Sequence, residues 1–193
     1  MVYYASRNDR NRVVRIIQES FTDNPSVVSV INPNKANSLK ALAEYAFDTA
    51  LMRQGVLLSD NQECAAICYH YGWKKEGIPD LWNQVKLVLN CIGLWKVPQV
   101  MRREAYIKKH RPVDGKFLYF WFFGSTKKGK VTRSAFSLKQ AIFEKSAKDN
   151  LPIYLETSVP KNKKVYERFG FETYHEWHQS EDRTLYFMRR VPK

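Results

Sequence analysis

Apolar residues along this chain recur first at helical spacing, then at strand spacing, and then in alternating blocks of the two. Val13, Val14, Ile17 and Phe21 fall on one helical face, and Ser6-x-x-Asp9 ahead of them fits a capping box with Asp in place of Glu. Asn24-Pro25 is expected to stop this helix, and the Asn-, Pro- and Ser-rich stretch 25–37 reads as a loop. Leu39, Leu42, Ala43, Ala46, Phe47, Ala50 and Leu51 mark the face of a second helix that ends at Gly55. GVLLS and ECAAICYHY follow as two strands joined at Asp60-Asn61. In the second of these, Ala65, Ile67, Tyr69 and Tyr71 share one face, and Cys64, Ala66, Cys68 and His70 the other.

Pro79-Asp80 opens a third helix with Leu81, Val85, Val88, Leu89 and Ile92 as its buried stripe. Gly93 and Pro98 break it, and a further helical piece runs from Gln99 to His110, before a turn at Arg111, Pro112, Asp114 and Gly115. Phe117–Phe123 is almost uninterrupted in apolar character, as expected of a central strand covered on both faces. A basic loop, Gly124–Arg133, leads to a helix that starts at the Ser137-x-x-Gln140 capping box or as early as Thr132. That helix buries Leu138, Ala141 and Ile142 and ends at Asp149-Asn150. Ile153–Thr157 is the next strand, so 117–157 forms a right-handed crossover with parallel strands. A short helix, Lys161–Phe169, stops at Gly170, and FETYHEWH with TLYFMRRV makes a hairpin around Glu181-Asp182. These elements add up to an α/β fold of about six strands, a mixed and mostly antiparallel sheet around a central parallel βαβ unit, in one domain over 1–193.

The composition adds direction. The 193 residues are 44% hydrophobic and 14% aromatic, which is globular and not disordered. The formal net charge is +13, which favours an acidic partner such as a polyphosphate ligand, nucleic acid or an anionic surface. No apolar run approaches the ~18 residues of a spanning helix. The opening MVYYASRNDRNR lacks a signal-peptide core, so a cytoplasmic protein is expected without membrane attachment. Cys64, Cys68 and Cys91 read as reduced packing residues. The four histidines lack metal-ligand spacing, so no metal is expected.

The most specific chemistry lies in LPIYLETSVPKNKKVYERFGF, where Asn162, Tyr166, Gly170 and Phe171 form N-x3-Y-x3-G-F after a strand. This stretch resembles the second half of the acetyl-CoA-binding core of the GCN5-related N-acetyltransferase superfamily. The order of elements upstream is similar to that of many bacterial members. The resemblance implies an acyl-CoA N-acyltransferase-like fold and direct attack of an amine acceptor, small molecule or protein, on acetyl-CoA. It implies that the pantetheine arm pairs with the strand at Phe122 and Phe123, and that the pyrophosphate sits on the amides of Lys128, Gly129, Lys130, Val131, Thr132 and Arg133. It also implies that Asn162 bonds the cofactor or positions its helix, and that Tyr166 protonates the leaving thiolate. Glu156 is a candidate base or water-orienting group, or else a surface carboxylate beside the basic loop.

The pyrophosphate turn departs from the superfamily's usual Gln/Arg-x-x-Gly-x-Gly/Ala. Here it reads GSTKKGKVTRSAF, with Val131, and in one alignment also Arg133, at glycine places. A degenerate member that binds a ligand or partner without turnover is therefore the rival within the fold. Gly124-x4-Gly129-Lys130 also matches most of a P-loop, but Val131 replaces its Ser/Thr. The basic cluster, together with Tyr119, Trp121 and Tyr166, alternatively suits single-stranded nucleic acid. His70 beside Tyr69, and Trp73 and Trp82, either border the acceptor pocket or simply pack. The terminal hairpin offers an edge for a homodimer.

Overall fold

A computed structural model of the chain describes residues 1–73 and 77–193, apart from the side chains of 78–81 and 131. The strands are β1 (Val2–Tyr4), β2 (Val56–Ser59), β3 (Cys64–His70), β4 (Leu118–Ser125), β5 (Ile153–Thr157), β6 (Glu172–Ser180) and β7 (Arg183–Arg190). They form one sheet in the order β1-β2-β3-β4-β5-β7-β6. Every neighbouring pair is antiparallel except β4–β5, the parallel pair of the crossover. Long, doubly covered β4 stands at the centre, as its apolar run requires. The helices are α1 (Arg10–Phe21), α2 (Pro25–Val30), α3 (Ser38–Leu51), α4 (Ile78–Leu87), α5 (Val97–Lys109), α6 (Ser134–Asp149) and α7 (Pro160–Arg168).

Each face of the sheet buries a core, and Ile107 of α5 with Leu185 and Phe187 of β7 forms a third, smaller cluster. Val13 and Ile17 of α1 and Phe47 of α3 pack on Leu58, Ile67 and Phe122. Leu138 and Ile142 of α6 pack on Leu57, Ala66, Cys68 and Leu155 on the other side. Strand alternation alone makes this division, because successive side chains point to opposite faces. Ala65, Ile67 and Tyr69 join the first core and Cys64, Ala66 and Cys68 the second.

Several expectations needed correction. The sheet has a seventh strand, β1, whose three residues are too few to carry a period. Part of 25–37 is helix: the Asn24 side chain accepts from Ser26 N and Val27 N, and Pro25 stands in the first turn, so Asn-Pro caps and starts α2 as well as ending α1. Pro98 likewise sits in the first turn of α5, which begins at Val97. The expected stripe of α4 is not continuous. A π-turn, Val88–Ile92, follows it and changes the angular step, so Cys91 and Ile92 are buried while Val85 and Leu89 are exposed. Leu81 of that stripe lies outside the described side chains. Helix α6 starts at Ser134, between the two expected starts.

Candidate active site

Strands β4 and β5 pair only at Leu118↔Ile153 and Tyr119↔Tyr154. Beyond that point β4 stays on β3 as far as Ser125, and β5 stays on β7 as far as Thr157. The two arms part into a V. At the point of divergence β4 carries a bulge, with Trp121 extra between Phe120, opposite Cys68, and Phe122, opposite Ile67. Such a bulge increases local twist and turns the strand away from its neighbour. The α1–α2 elbow spans the open end. Phe21 packs edge-on against Phe122 at 4.9 Å, Ser20 Oγ donates to Ser125 O at 3.0 Å, and the hydroxyls of Ser26 and Ser158 meet at 2.8 Å. A cavity of about 720 Å³ fills the V, and both arms, α5 and α7 contribute to its wall.

Phe122, Phe123, Glu156, Asn162 and Tyr166 all line this cavity. Helix α7 places Tyr166 on the V by packing its ring against Phe120 at 6.2 Å and Phe171 at 5.4 Å. Burial pushes its phenol up to about 12, so near neutral pH the group carries its proton. Glu156 is not a surface carboxylate: its side chain is 6% exposed. Arg111 Nε donates to Oε1 at 2.9 Å and Nη2 to Oε2 at 2.9 Å, and the Tyr119 hydroxyl adds a third bond to Oε2 at 3.0 Å. The guanidinium also stacks 4.0 Å from the Tyr119 ring centroid. Burial alone would push Arg111 down, but the charge and hydrogen bonds of Glu156 outweigh it and hold it well above its ordinary value. Burial, with Glu156 adding, keeps the Tyr119 phenol protonated.

The whole chain superposes on known structures. The histone acetyltransferase HPA2 and related acetyltransferase from Corynebacterium glutamicum superposes with a TM-score of 0.70 at 17% identity, covering 100% of this chain and 96% of that one. Arylalkylamine N-acetyltransferase 2 from Aedes aegypti gives 0.68 at 14% identity, covering 100% and 99%. The fold is that of the GCN5-related N-acetyltransferases. The C-terminal condensation domain of Ebony, solved with beta-alanyl-dopamine, is similar too, at 0.70 and 10% identity over 99% and 98%. No protein-family model and no curated protein matches the chain.

Against the N-acetyltransferase pattern, the turn after β4 is unusual. Lys128, Gly129, Lys130, Val131, Thr132 and Arg133 lie together between β4 and α6, and none of them is among the residues that line the cavity. Three of their amides are engaged within the turn: Gly129 N donates to Thr126 Oγ1, Lys130 N to Thr126 O and Thr132 N to Gly129 O. The Thr126 hydroxyl in turn bonds the Glu63 carboxylate. Gly129 is glycine for a packing reason, since a Cβ there would lie 2.5 Å from Glu63 O and 2.9 Å from Cys64 Sγ. The Val131 side chain, expected to crowd a phosphate, lies outside the described residues. Lys127, Lys128, Lys130 and Arg133 are exposed, beside an α6 whose first turn leaves amides open.

Arg111 is a cavity residue that the sequence did not signal. It stood in a Pro- and Gly-containing turn, and nothing local distinguishes a buried arginine from a solvated one. His70, Trp73 and Trp82 are not on the cavity wall, and both tryptophans are exposed. Among the described residues there is no cluster of three metal-ligating side chains and no helix long and apolar enough to cross a membrane.

Proposed function

We propose that the chain is an N-acetyltransferase that moves an acetyl group from acetyl-CoA to an amine, with residues 1–193 acting as one domain. The observation that carries this reading is the V between β4 and β5 with Tyr166 on its wall. The pantetheine arm runs along the unpaired edge of β4 at Phe122 and Phe123, where backbone amides can polarise the thioester carbonyl. Asn162, exposed on the first turn of α7, bonds the arm. The neutral amine attacks the carbonyl carbon, the C–N bond forms and the C–S bond breaks. Tyr166 gives its proton to the departing thiolate, and the proton lost from the amine nitrogen passes to water. Glu156 orients the reacting amine through water only if it keeps its arginine, because leaving Arg111 would strand two buried charges. The aromatic wall of Tyr45, Tyr69, Tyr71, Tyr119 and Trp121 suits an acceptor with an apolar or aromatic body, in keeping with the beta-alanyl-dopamine bound to the Ebony domain and the arylalkylamine for which the Aedes aegypti enzyme is named.

The committed amides of Gly129, Lys130 and Thr132 favour a second reading, a member of the fold that does not hold the diphosphate. Calorimetric titration with acetyl-CoA and coenzyme A separates the two. Saturable binding at micromolar cofactor, weakening as salt rises, is expected from a site that relies on exposed Lys127, Lys128, Lys130 and Arg133. Absence of heat at millimolar cofactor with the protein folded would remove the acetyltransferase reading.

A further inference from the structure

The turn after β4 is held shut from another part of the sheet. Glu63 stands at the entry to β3, in the tight corner where β2 turns back. That corner is fixed, because the Asn61 side-chain oxygen accepts from Ser59 Oγ at 2.7 Å and from Glu63 N at 3.3 Å. From there Glu63 reaches the turn twice. Its carbonyl accepts from Thr126 N at 2.9 Å, and its carboxylate accepts the proton of the Thr126 hydroxyl. The same hydroxyl oxygen accepts from Gly129 N at 3.1 Å. The result is a two-step relay, amide to hydroxyl to carboxylate, that ends on a negative charge. Charge-assisted bonds are the strong ones, and bonds in a chain polarise one another. Thr126 and Gly129 are both buried, so little water competes for the relay. Lys127, Lys128, Lys130 and Arg133 around it are exposed, and among the described residues Glu63 pairs with none of them. Its carboxylate therefore serves the amide end of the turn and not its lysines.

We propose that Glu63 is a latch on this turn, and the residue that sets how much the diphosphate of coenzyme A adds to donor binding. A phosphate oxygen that takes the Gly129 amide must displace the Thr126 hydroxyl, and it brings further negative charge toward the Glu63 carboxylate. Both effects oppose the diphosphate, and neither touches a pantetheine arm held in the V. With the latch closed, the donor is held by its arm and by the exposed cations, whose pull is modest and screened by salt. With the latch released, the Gly129 amide is free to donate to a phosphate oxygen. The latch also accounts for a turn that keeps a glycine and a basic rim yet has its amides engaged.

This inference rests on the acetyl-CoA reading of the V and its turn. The test titrates the native chain, Glu63→Gln, Thr126→Val and Thr126→Ser with coenzyme A, with pantetheine, which has the arm and no diphosphate, and with inorganic pyrophosphate. Glu63→Gln keeps an acceptor for the Thr126 hydroxyl and removes the charge. Thr126→Val removes the relay, and Thr126→Ser restores its hydroxyl. Coenzyme A is expected to bind at least about fivefold more tightly to Glu63→Gln and Thr126→Val, the size of one net hydrogen bond. Pantetheine affinity should stay within about twofold throughout, since the arm lies outside the relay, and Thr126→Ser should match the native chain. A merely structural contact would instead leave coenzyme A binding unchanged or weaken it. No gain in Glu63→Gln, or a gain that pantetheine shares, would overturn the latch; Thr126→Val decides in the same way if Glu63→Gln does not fold. Coenzyme A binding by the native chain with no gain in the variants would remove the latch and leave acetyl transfer standing. Tighter pyrophosphate binding by the variants, with no binding of pantetheine to any of the four proteins, would keep the latch and remove acetyl transfer. No binding of any probe by any of the four would overturn both.

Discussion

Gly129 shows how a single residue can look like a ligand-binding signature and be explained by packing. In the sequence it stands where a phosphate-cradling glycine belongs. In the structure its missing Cβ makes room for Glu63 O and Cys64 Sγ. Gly129→Ala is therefore expected to cost about 1–3 kcal/mol through overpacking, read as a lower midpoint in urea. Unchanged stability with weakened coenzyme A binding would return the glycine to the phosphate. Arg111 and Glu156 make the complementary case, since their side chains are 5% and 6% exposed. Removing one partner strands the other charge. Arg111→Met should destabilise the fold by about 3–5 kcal/mol, and Arg111→Met with Glu156→Met should recover most of that loss. Denaturation of the two variants measures it; equal losses would mean that the pair is not a unit.

At the scale of elements, α5 is held to the sheet by an aromatic and histidine cluster. His110 stacks on His175 of β6 with ring centroids 4.0 Å apart and 6° between planes. The Tyr106 hydroxyl lies 3.0 Å from His175 Nε2, and the Tyr174 hydroxyl donates to His110 O. Burial and then the neighbouring His110 push His175 below its ordinary value. A lowered histidine is neutral in both folded and unfolded chains above about pH 6.5, and below that the unfolded chain takes the proton first. Stability should therefore be full at pH 7.5 and fall as pH drops below 6.5. Urea midpoints for the native chain and His175→Gln at pH 7.5 and 5.0 check this. The variant should lose less on acidification, and an equal loss would clear the histidine pair of the effect. Because His110 adjoins Arg111, the same docking fixes the guanidinium beside Glu156.

For the whole molecule, what could be read from the sequence depended on period and length. The central strand, the crossover and the terminal hairpin each have enough residues for apolar spacing to identify them, and N-x3-Y-x3-G-F is local enough to be seen as a string. Strand β1 is too short for any period. Helix α2 was hidden because Asn-Pro can end one helix and begin another. Of the candidate site, the part contributed by one segment was legible, as with Asn162 and Tyr166, which both line the cavity from α7. The part where residues distant in sequence meet was not. Nothing at Arg111 announces Glu156, since that pairing is set by the path of α5 over the V. The +13 charge suggested an anionic partner without locating it, because net charge carries no geometry.

The central claim is that acyl transfer occurs in the V with Tyr166 as the acid. Its most direct test compares thiol release from acetyl-CoA by the native chain and by Tyr166→Phe, using the best acceptor from a panel of primary amines, with coenzyme A affinity measured in parallel. The expected result is release by the native chain, turnover lowered roughly 10²–10⁴-fold in the variant, and coenzyme A affinity within about twofold, because the lost hydroxyl acts on the leaving thiolate and not on the bound cofactor. Equal turnover in the two proteins, or no thiol release from the native chain with any amine, would contradict the account.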